Sequence, residues 1–205
     1  MLTGDELRLL LVGALPRLAA SRDELRDLDA AIGDGDLGIT VGDGAVAAAA
    51  ALAELEPAAT PAVVLRTVGL TLARANPSTF SALAMGALLA AAKELGDDAT
   101  VDRESGLRAA RAAASSIATR GRSAVGDKTV LDALVPSLDA AAAEPEAPLT
   151  AAIDAARAGV EATRDLVSQR GRAAWVGQRT AGHPDGGATA WVRILEAVQD
   201  ELEAR

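Results

Sequence analysis

The chain has 205 residues with 20 Lys+Arg against 29 Asp+Glu, a formal net charge of −9, one His, no Cys, no Tyr, one Phe and two Trp. That length suits a single domain able to bury its own core. The missing thiols exclude zinc-thiolate sites, disulfides and a cysteine nucleophile, and the lone His183 excludes chemistry that needs two imidazoles.

Alanine makes up about a quarter of the chain and β-branched runs are nearly absent, which favours helix throughout. The acidic start, Met1-Leu2-Thr3-Gly4-Asp5-Glu6, has no secretory or transit character, so a cytoplasmic location is expected. Thr3 with Glu6 three residues on forms a capping box for a first helix carrying Leu7, Leu10, Leu11 and Leu15; Ser21 with Glu24 predicts a second box, ahead of Leu25 and Leu28. Further helices are predicted over residues 38–55, 61–74 (Thr60 as N-cap, Pro61 in the first turn), 78–95 (ended by Gly96), 101–119, 127–143, 149–169 (Thr150 near its start) and 187–204. Residues 75–92 carry no charge, yet they open on Asn76-Pro77-Ser78-Thr79 and read as a buried helix rather than a membrane span. Glu144-Pro145-Glu146-Ala147-Pro148 reads as a loop between helices. Short links make sequential helices antiparallel, so the expected fold is all-α: one domain over residues 1–205, a bundle or barrel of about eight antiparallel amphipathic helices, whose small alanines leave room for a central hollow.

Three segments rich in Gly and Asp interrupt the helices. In Leu28-Asp29-Ala30-Ala31-Ile32-Gly33-Asp34-Gly35-Asp36-Leu37-Gly38, glycines free the backbone to turn three carboxylates toward one point. Such a group repels itself unless a cation sits in it, and hard oxygen ligands suit Mg²⁺ or Ca²⁺. The bidentate Glu at the twelfth position of an EF-hand loop is missing in every register, so Mg²⁺ completed by ligand phosphates fits better, and three Asp are enough for two ions. Gly42-Asp43-Gly44 has no companion acids and reads as helix.

The second segment, Gly121-Arg122-Ser123-Ala124-Val125-Gly126-Asp127-Lys128-Thr129-Val130, enters a helix. Two readings fit it: free N–H groups that bind phosphate with help from Lys128, or Asp127 as a plain N-cap with Lys128 on the surface. The third runs from Gly171-Arg172-Ala173 to His183-Pro184-Asp185-Gly186-Gly187-Ala188, where a Gly-Gly pair meets a helix start beside an Asp and an upstream Arg can fork onto phosphate oxygens. His183 reads as a solvated loop residue, and Trp175 and Trp191 as core or rim fillers.

Leu28-Asp29-x-x-Ile32-Gly33-Asp34-Gly35-Asp36-x-Gly38, Gly126-Asp127-Lys128-Thr129-x-x-Asp132-Ala133-Leu134, Gly171-Arg172-Ala173 and His183-x-Asp185-x-Gly187-Ala188, taken together, resemble the nucleotide-binding L subunit or domain of dihydroxyacetone kinases. The four motifs stand in the family's order and span residues 28–188. The resemblance implies a barrel of eight antiparallel helices with Mg²⁺-nucleotide held by the loops at one end. It implies that Asp29, Asp34 and Asp36 coordinate two Mg²⁺ ions bridging the phosphates of ADP or ATP. Nucleotide contacts are implied at Gly38, Ile39 and Thr40, at Gly121 and Val130, and at Arg172, Asp185 and Gly187; Lys128 is left a packing or surface role. The chain departs from the family at two places. Asn76-Pro77-Ser78-Thr79-Phe80-Ser81-Ala82 replaces a common Gly-Gly-Thr-Ser-Gly phosphate cradle, so Ser78, Thr79 and Ser81 are expected to meet phosphate oxygens from a helix start, and Leu37 stands where many relatives have His.

In the resembled family a separate K subunit binds the keto sugar, dihydroxyacetone or another short ketose, and the L part donates phosphate. The donor is either exchangeable ATP or a held ADP rephosphorylated by a phosphotransferase-system M subunit; the stand-alone length favours the ADP relay. A reading of another class is a nucleotide-dependent binding module without kinase turnover, a regulator partner or a lipid carrier. The acidic balance, with Lys93 and Lys128 the only lysines, and the scarcity of aromatic rings argue against nucleic acid as a partner, and no membrane partner is expected.

Overall fold

The computed structural model describes all 205 residues. Ten helices follow one another: α1 (Gly4–Ala19), α2 (Arg22–Ile32), α3 (Leu37–Ala53), α4 (Pro61–Ala75), α5 (Thr79–Leu95), α6 (Arg103–Gly121), α7 (Leu131–Ala143), α8 (Pro148–Ala162), the single-turn α9 (Ala173–Val176) and α10 (Gly186–Glu203). A 3₁₀ turn over Gly177–Thr180 follows α9, and two short strands, β1 (Leu2–Thr3) and β2 (Thr100–Val101), pair antiparallel.

Eight of the helices close a ring. α1 packs on α3, α3 on α4, α4 on α5, α5 on α6, α6 on α7, α7 on α8, α8 on α10, and α10 returns to α1, while α2 lies across α3 and α10. Neighbours run antiparallel, as cross-contacts between the start of one helix and the end of the next show. Arg103 of α6 reaches the carbonyls of Ala141 and Ala142 at the end of α7, and Arg111 pairs with Asp139 one step further along. The expected all-α barrel of antiparallel helices is what forms.

The interior is assembled mainly from alanine and mid-sized aliphatic chains. Leu15, Leu18, Leu25, Val41, Ala45, Ala48, Leu52, Val64, Val68, Ala190 and Ala197 belong to the largest buried cluster, and Ala133, Ala156, Ala188 and Val192 join α7, α8 and α10. Small residues set how closely the helices approach. At Gly159 of α8 a Cβ would stand 2.2 Å from the Asp132 carbonyl oxygen and 2.9 Å from the Ala133 Cα, backbone that cannot swing aside. No helix is long and apolar enough to cross a membrane; the uncharged stretch forms α5, capped by Ser78.

Helix boundaries follow the predicted caps with four corrections. Thr3 and Glu6 do form a capping box, and Thr60 accepts from the Val63 N–H. Ser21 does not cap: only two residues separate α1 from α2, and Ser21 sits at φ −79°, ψ 4°, turned away from the extended conformation in which a hydroxyl reaches the first-turn N–H groups. α7 starts at Leu131 rather than 127, because Lys128 takes a left-handed φ of 61°. α8 stops at Ala162 rather than 169, where Thr163 turns its hydroxyl back onto the Val160 carbonyl at 2.6 Å. The tie between β1 and β2 and the short α9 were not predicted.

Gly159→Ala is expected to force α7 and α8 apart and to cost about 1–3 kcal/mol of stability, the usual range for overpacking. Urea unfolding followed by helical circular dichroism measures it, and an unchanged midpoint would show that the two helices have slack.

Candidate functional site

An up-and-down ring of helices places every second N-terminus at the same end. Here the starts of α3, α5, α7 and α10 surround one cleft of about 270 Å³, contributing Leu37, Ser78 with Thr79, Thr129 with Val130, and Asp185 with Gly187. Each start offers N–H groups without helical partners and the positive end of a helix dipole, so the cleft attracts an anion before any side chain is counted. Gly121 and Ser123 at the end of α6, and Arg170, Gly171, Arg172 and Ala173 from the long α8–α10 connection, complete its wall.

The carboxylate trio lies in this mouth. Asp29 comes from the last turn of α2, and Asp34 and Asp36 from the link to α3, which Gly35 bends with a φ of 77° that other residues rarely adopt. One oxygen from each of the three lies within 4.8 Å of the others. Asp29 Oδ2 also accepts the Leu37 N–H at 3.3 Å, so the same carboxylate that faces the cluster holds the start of α3. Burial raises the Asp36 carboxyl above its ordinary value, and the neighbouring Asp29 charge adds to the rise.

A cation from the chain itself pairs with two members of the group. Arg172 forks across it, its guanidinium paired with Asp34 and, at 3.1 Å, with Asp36. Three hard carboxylate oxygens this close together have the donor set for a divalent metal such as Mg²⁺.

At the α5 start, the hydroxyls that replace a glycine cradle are divided between structure and cleft. Ser78 and Ser81 form a capping box: Ser78 Oγ accepts the Ser81 N–H at 3.1 Å, Ser81 Oγ accepts the Ser78 N–H at 2.9 Å and donates to the Asn76 carbonyl at 2.7 Å. Ser81 is buried and does not line the cleft. Thr79 is exposed and faces it with its hydroxyl free.

At the α7 start, Asp132 Oδ1 accepts the Gly126 N–H at 2.6 Å and Oδ2 the Thr129 N–H at 2.7 Å, folding the preceding loop around one buried carboxylate. Asp132 stands in the second motif with no expected role; its place three residues after Thr129 is the local signal for this contact, which falls to Asp132 and not to Asp127. Asp127 instead accepts the Ala124 N–H and the Arg170 Nε, each at 3.0 Å, which hold its carboxyl below the usual range.

At the α10 start, Asp185 is the N-cap, accepting the Ala188 N–H at 2.7 Å. Burial at the cleft floor outweighs that bond and pushes its carboxyl up to about 7.

Of the residues expected to meet nucleotide or metal, Asp29, Asp34, Asp36, Ser78, Thr79, Gly121, Val130, Arg172, Asp185 and Gly187 come together in the cleft. Gly38, Ile39, Thr40 and Ser81 do not line it. Gly38 is where α2 presses on α3: a Cβ there would meet the Arg22 carbonyl oxygen at 2.1 Å. Thr40 is buried with an unpartnered Oγ1, and Ile39, between the two in the same turn, is exposed. Lys128 lies inside the protein rather than on its surface, with its ammonium donating to backbone carbonyls. Trp191 packs in the core with its Nε1–H on Ser137 Oγ at 3.0 Å, but Trp175 is 87% exposed and fills nothing.

Residues 31–200 match the DAK2 domain. The chain belongs to the DAK2 domain family. Over 182 residues, 89% of its length, it is 34% identical to the ADP-binding subunit DhaL of a PEP-dependent dihydroxyacetone kinase of Listeria innocua, covering 88% of that subunit. It is 33% identical over 90% of its length to an L-erythrulose 1-kinase of Mycolicibacterium smegmatis, of which it spans 33%. The fold of this DAK2 domain matches the dihydroxyacetone kinase of C. freundii in complex with AMP-PNP and Mg²⁺ at a TM-score of 0.76 with 26% identity, covering 94% of this chain and 33% of that one.

Two outcomes follow from the cleft's electrostatics and hydroxyls. The folded state holds the Asp185 proton more tightly than the unfolded chain, where an ordinary aspartate titrates near 4; this group's contribution to stability therefore falls as pH rises from about 4 to about 7 and is flat above. Asp185→Asn keeps an acceptor for the Ala188 N–H and removes the charge, so its stability relative to wild type should rise across that window in chemical unfolding at stepped pH; a constant difference would contradict the raised value. Thr79→Ala is expected to weaken Mg²⁺-ADP binding at unchanged stability, and Ser81→Ala to cost about 1 kcal/mol of stability through the lost cap, with calorimetry and thermal unfolding separating the two.

Proposed function

We propose that this DAK2 domain is the Mg²⁺-nucleotide-binding, phosphoryl-donor subunit of a kinase for dihydroxyacetone or a related short ketose. The observation that carries the reading is the meeting, in one cleft, of three carboxylates with four helix N-termini. One side of such a site holds metal and the other accepts phosphate oxygens.

Asp29, Asp34 and Asp36 are the ligands for the metal, two Mg²⁺ ions in the full arrangement. Mg²⁺ held by these carboxylates would supply charge neutralisation and orientation of the transferred phosphate. The starts of α5, α7 and α10 supply N–H groups to phosphate oxygens, with the Thr79 hydroxyl beside them. Arg172, which pairs with Asp34 and Asp36 at the cleft wall, is the cation of the site whose planar guanidinium would suit phosphate oxygens. The work of the site is positioning and charge neutralisation, which is what phosphoryl transfer requires of a protein.

The relative of L. innocua, matched over 88% of its own length, is named an ADP-binding subunit of a PEP-dependent kinase. That likeness supports a three-part system: this chain holding ADP, a K-type partner presenting the ketose, and a phosphotransferase-system M subunit restoring the ATP. The likeness to one third of an L-erythrulose kinase supports a ketose substrate class wider than dihydroxyacetone alone.

Reconstitution tests the reading. With a K-type subunit, phosphoryl donor and dihydroxyacetone, the wild-type chain is expected to support sugar phosphorylation, and Asp34→Asn to lower turnover by about a hundredfold or more with its helicity intact. Wild-type turnover in Asp34→Asn would remove the carboxylate trio from the chemistry.

A further inference from the structure

Lys128 is the least expected residue in the molecule. It is 2% exposed, it has a left-handed φ of 61°, and no carboxylate pairs with it. Its ammonium instead stands among four backbone carbonyls: Thr180 at 2.6 Å, His183 at 2.7 Å, Leu166 at 2.9 Å and Arg164 at 3.4 Å. Three N–H bonds serve four acceptors, so the cage is saturated. A buried cation is costly unless it is solvated by such bonds, and a side chain in left-handed backbone persists only where the surroundings fix it. Both costs are met at one residue.

The four carbonyls belong to the two limbs of one loop. Arg164 and Leu166 lie on the limb leaving α8, and Thr180 and His183 on the limb returning to α10. Lesser ties follow the same seam: the Gly182 N–H on the Arg164 carbonyl at 2.8 Å, the Ser168 N–H on Thr180 Oγ1 at 3.0 Å, and the Asp185 N–H on Thr163 Oγ1 at 2.8 Å. The loop tip beyond the seam carries Arg170 and Arg172 into the cleft and leaves Trp175 in solvent.

We propose that Lys128 is the positioning residue of this site: its ammonium, filling a cage of four carbonyls, clamps the two limbs of the residue 163–185 loop and thereby sets Arg172 over the carboxylate trio. The proposal rests on the cleft being a nucleotide site only for its effect on binding; the clamp itself is independent of that reading. Charge-assisted bonds from a single ammonium to both limbs do what a neutral side chain of the same volume cannot.

The test compares wild type with Lys128→Met, which keeps the volume, and Lys128→Ala, which opens the cage while keeping a Cβ. All three carry 5-fluorotryptophan, so that Trp175 reports the loop tip and Trp191 the core. In Lys128→Met the Trp175 resonance is expected to shift and narrow as the tip gains motion, with the Trp191 resonance and helicity preserved, and Mg²⁺-ADP affinity to fall on the order of tenfold, as for supporting residues around a metal site. Propylammonium, but not 1-propanol, should restore both the Trp175 resonance and the affinity of Lys128→Ala. An unmoved Trp175 line in Lys128→Met, equal rescue by propanol, or loss of the Trp191 line together with helicity would each overturn the clamp. Failure of the wild type to bind Mg²⁺-ADP would count against the nucleotide reading alone, since the Trp175 line still decides the clamp.

Discussion

The parity of a closed helical ring governs this molecule. Once eight helices alternate in direction around a barrel, four N-termini must share one rim, and their unpaired N–H groups and dipoles make that rim attractive to anions whatever the side chains are. The opposite need, for a cation, is supplied by sequence: Asp29, Asp34 and Asp36 enter the same rim from the α2–α3 link. A metal-nucleotide complex carries both signs at once, and the cleft offers a complement to each. Within the chain, Arg172 pairs with Asp34 and Asp36 of the acidic half.

The core explains how the ring can close tightly enough to hold this geometry. Alanines at Ala45, Ala48, Ala133, Ala156, Ala188 and Ala190 let neighbouring helices approach, and Gly159 brings α8 against the backbone of α7 just where the α7 start enters the cleft. Close packing between short side chains leaves little play, so the helix starts are set by the barrel rather than by their loops. The one long irregular segment, between α8 and α10, has no such support, and its ties run through Lys128, Asp127, Thr163, Ser168 and Thr180.

What could be read from the sequence follows the range of the interactions involved. Caps act within three or four residues, so those at Thr3 and Thr60 are legible in the pattern, while Ser78 and Asp185, read there as phosphate and nucleotide contacts, also cap their helices. The acidic trio was legible because its three members lie within eight residues of one another. The failures are tertiary. Ser21 has the right neighbours for a cap but the wrong backbone, because α1 and α2 are joined too tightly to extend it. The α8 pattern continues past residue 162, yet the carbonyls of Arg164 and Leu166 are collected by a lysine 36 and 38 positions away. No local signal distinguishes that lysine from a surface one, whereas Asp132 does carry one, its spacing of three from Thr129. Beyond the acidic motif, the packing of Gly38 against α2 and the burial of Thr40 are likewise tertiary and have no local signal.

The central claim is that acidic trio and helix starts form one site for a metal-nucleotide complex. Calorimetric titration of ADP and ATP into the metal-free protein, with and without Mg²⁺, tests it most directly. The account predicts tight binding that requires Mg²⁺ and is stronger for ADP than for ATP. Absence of binding for both nucleotides in the presence of Mg²⁺ would contradict it.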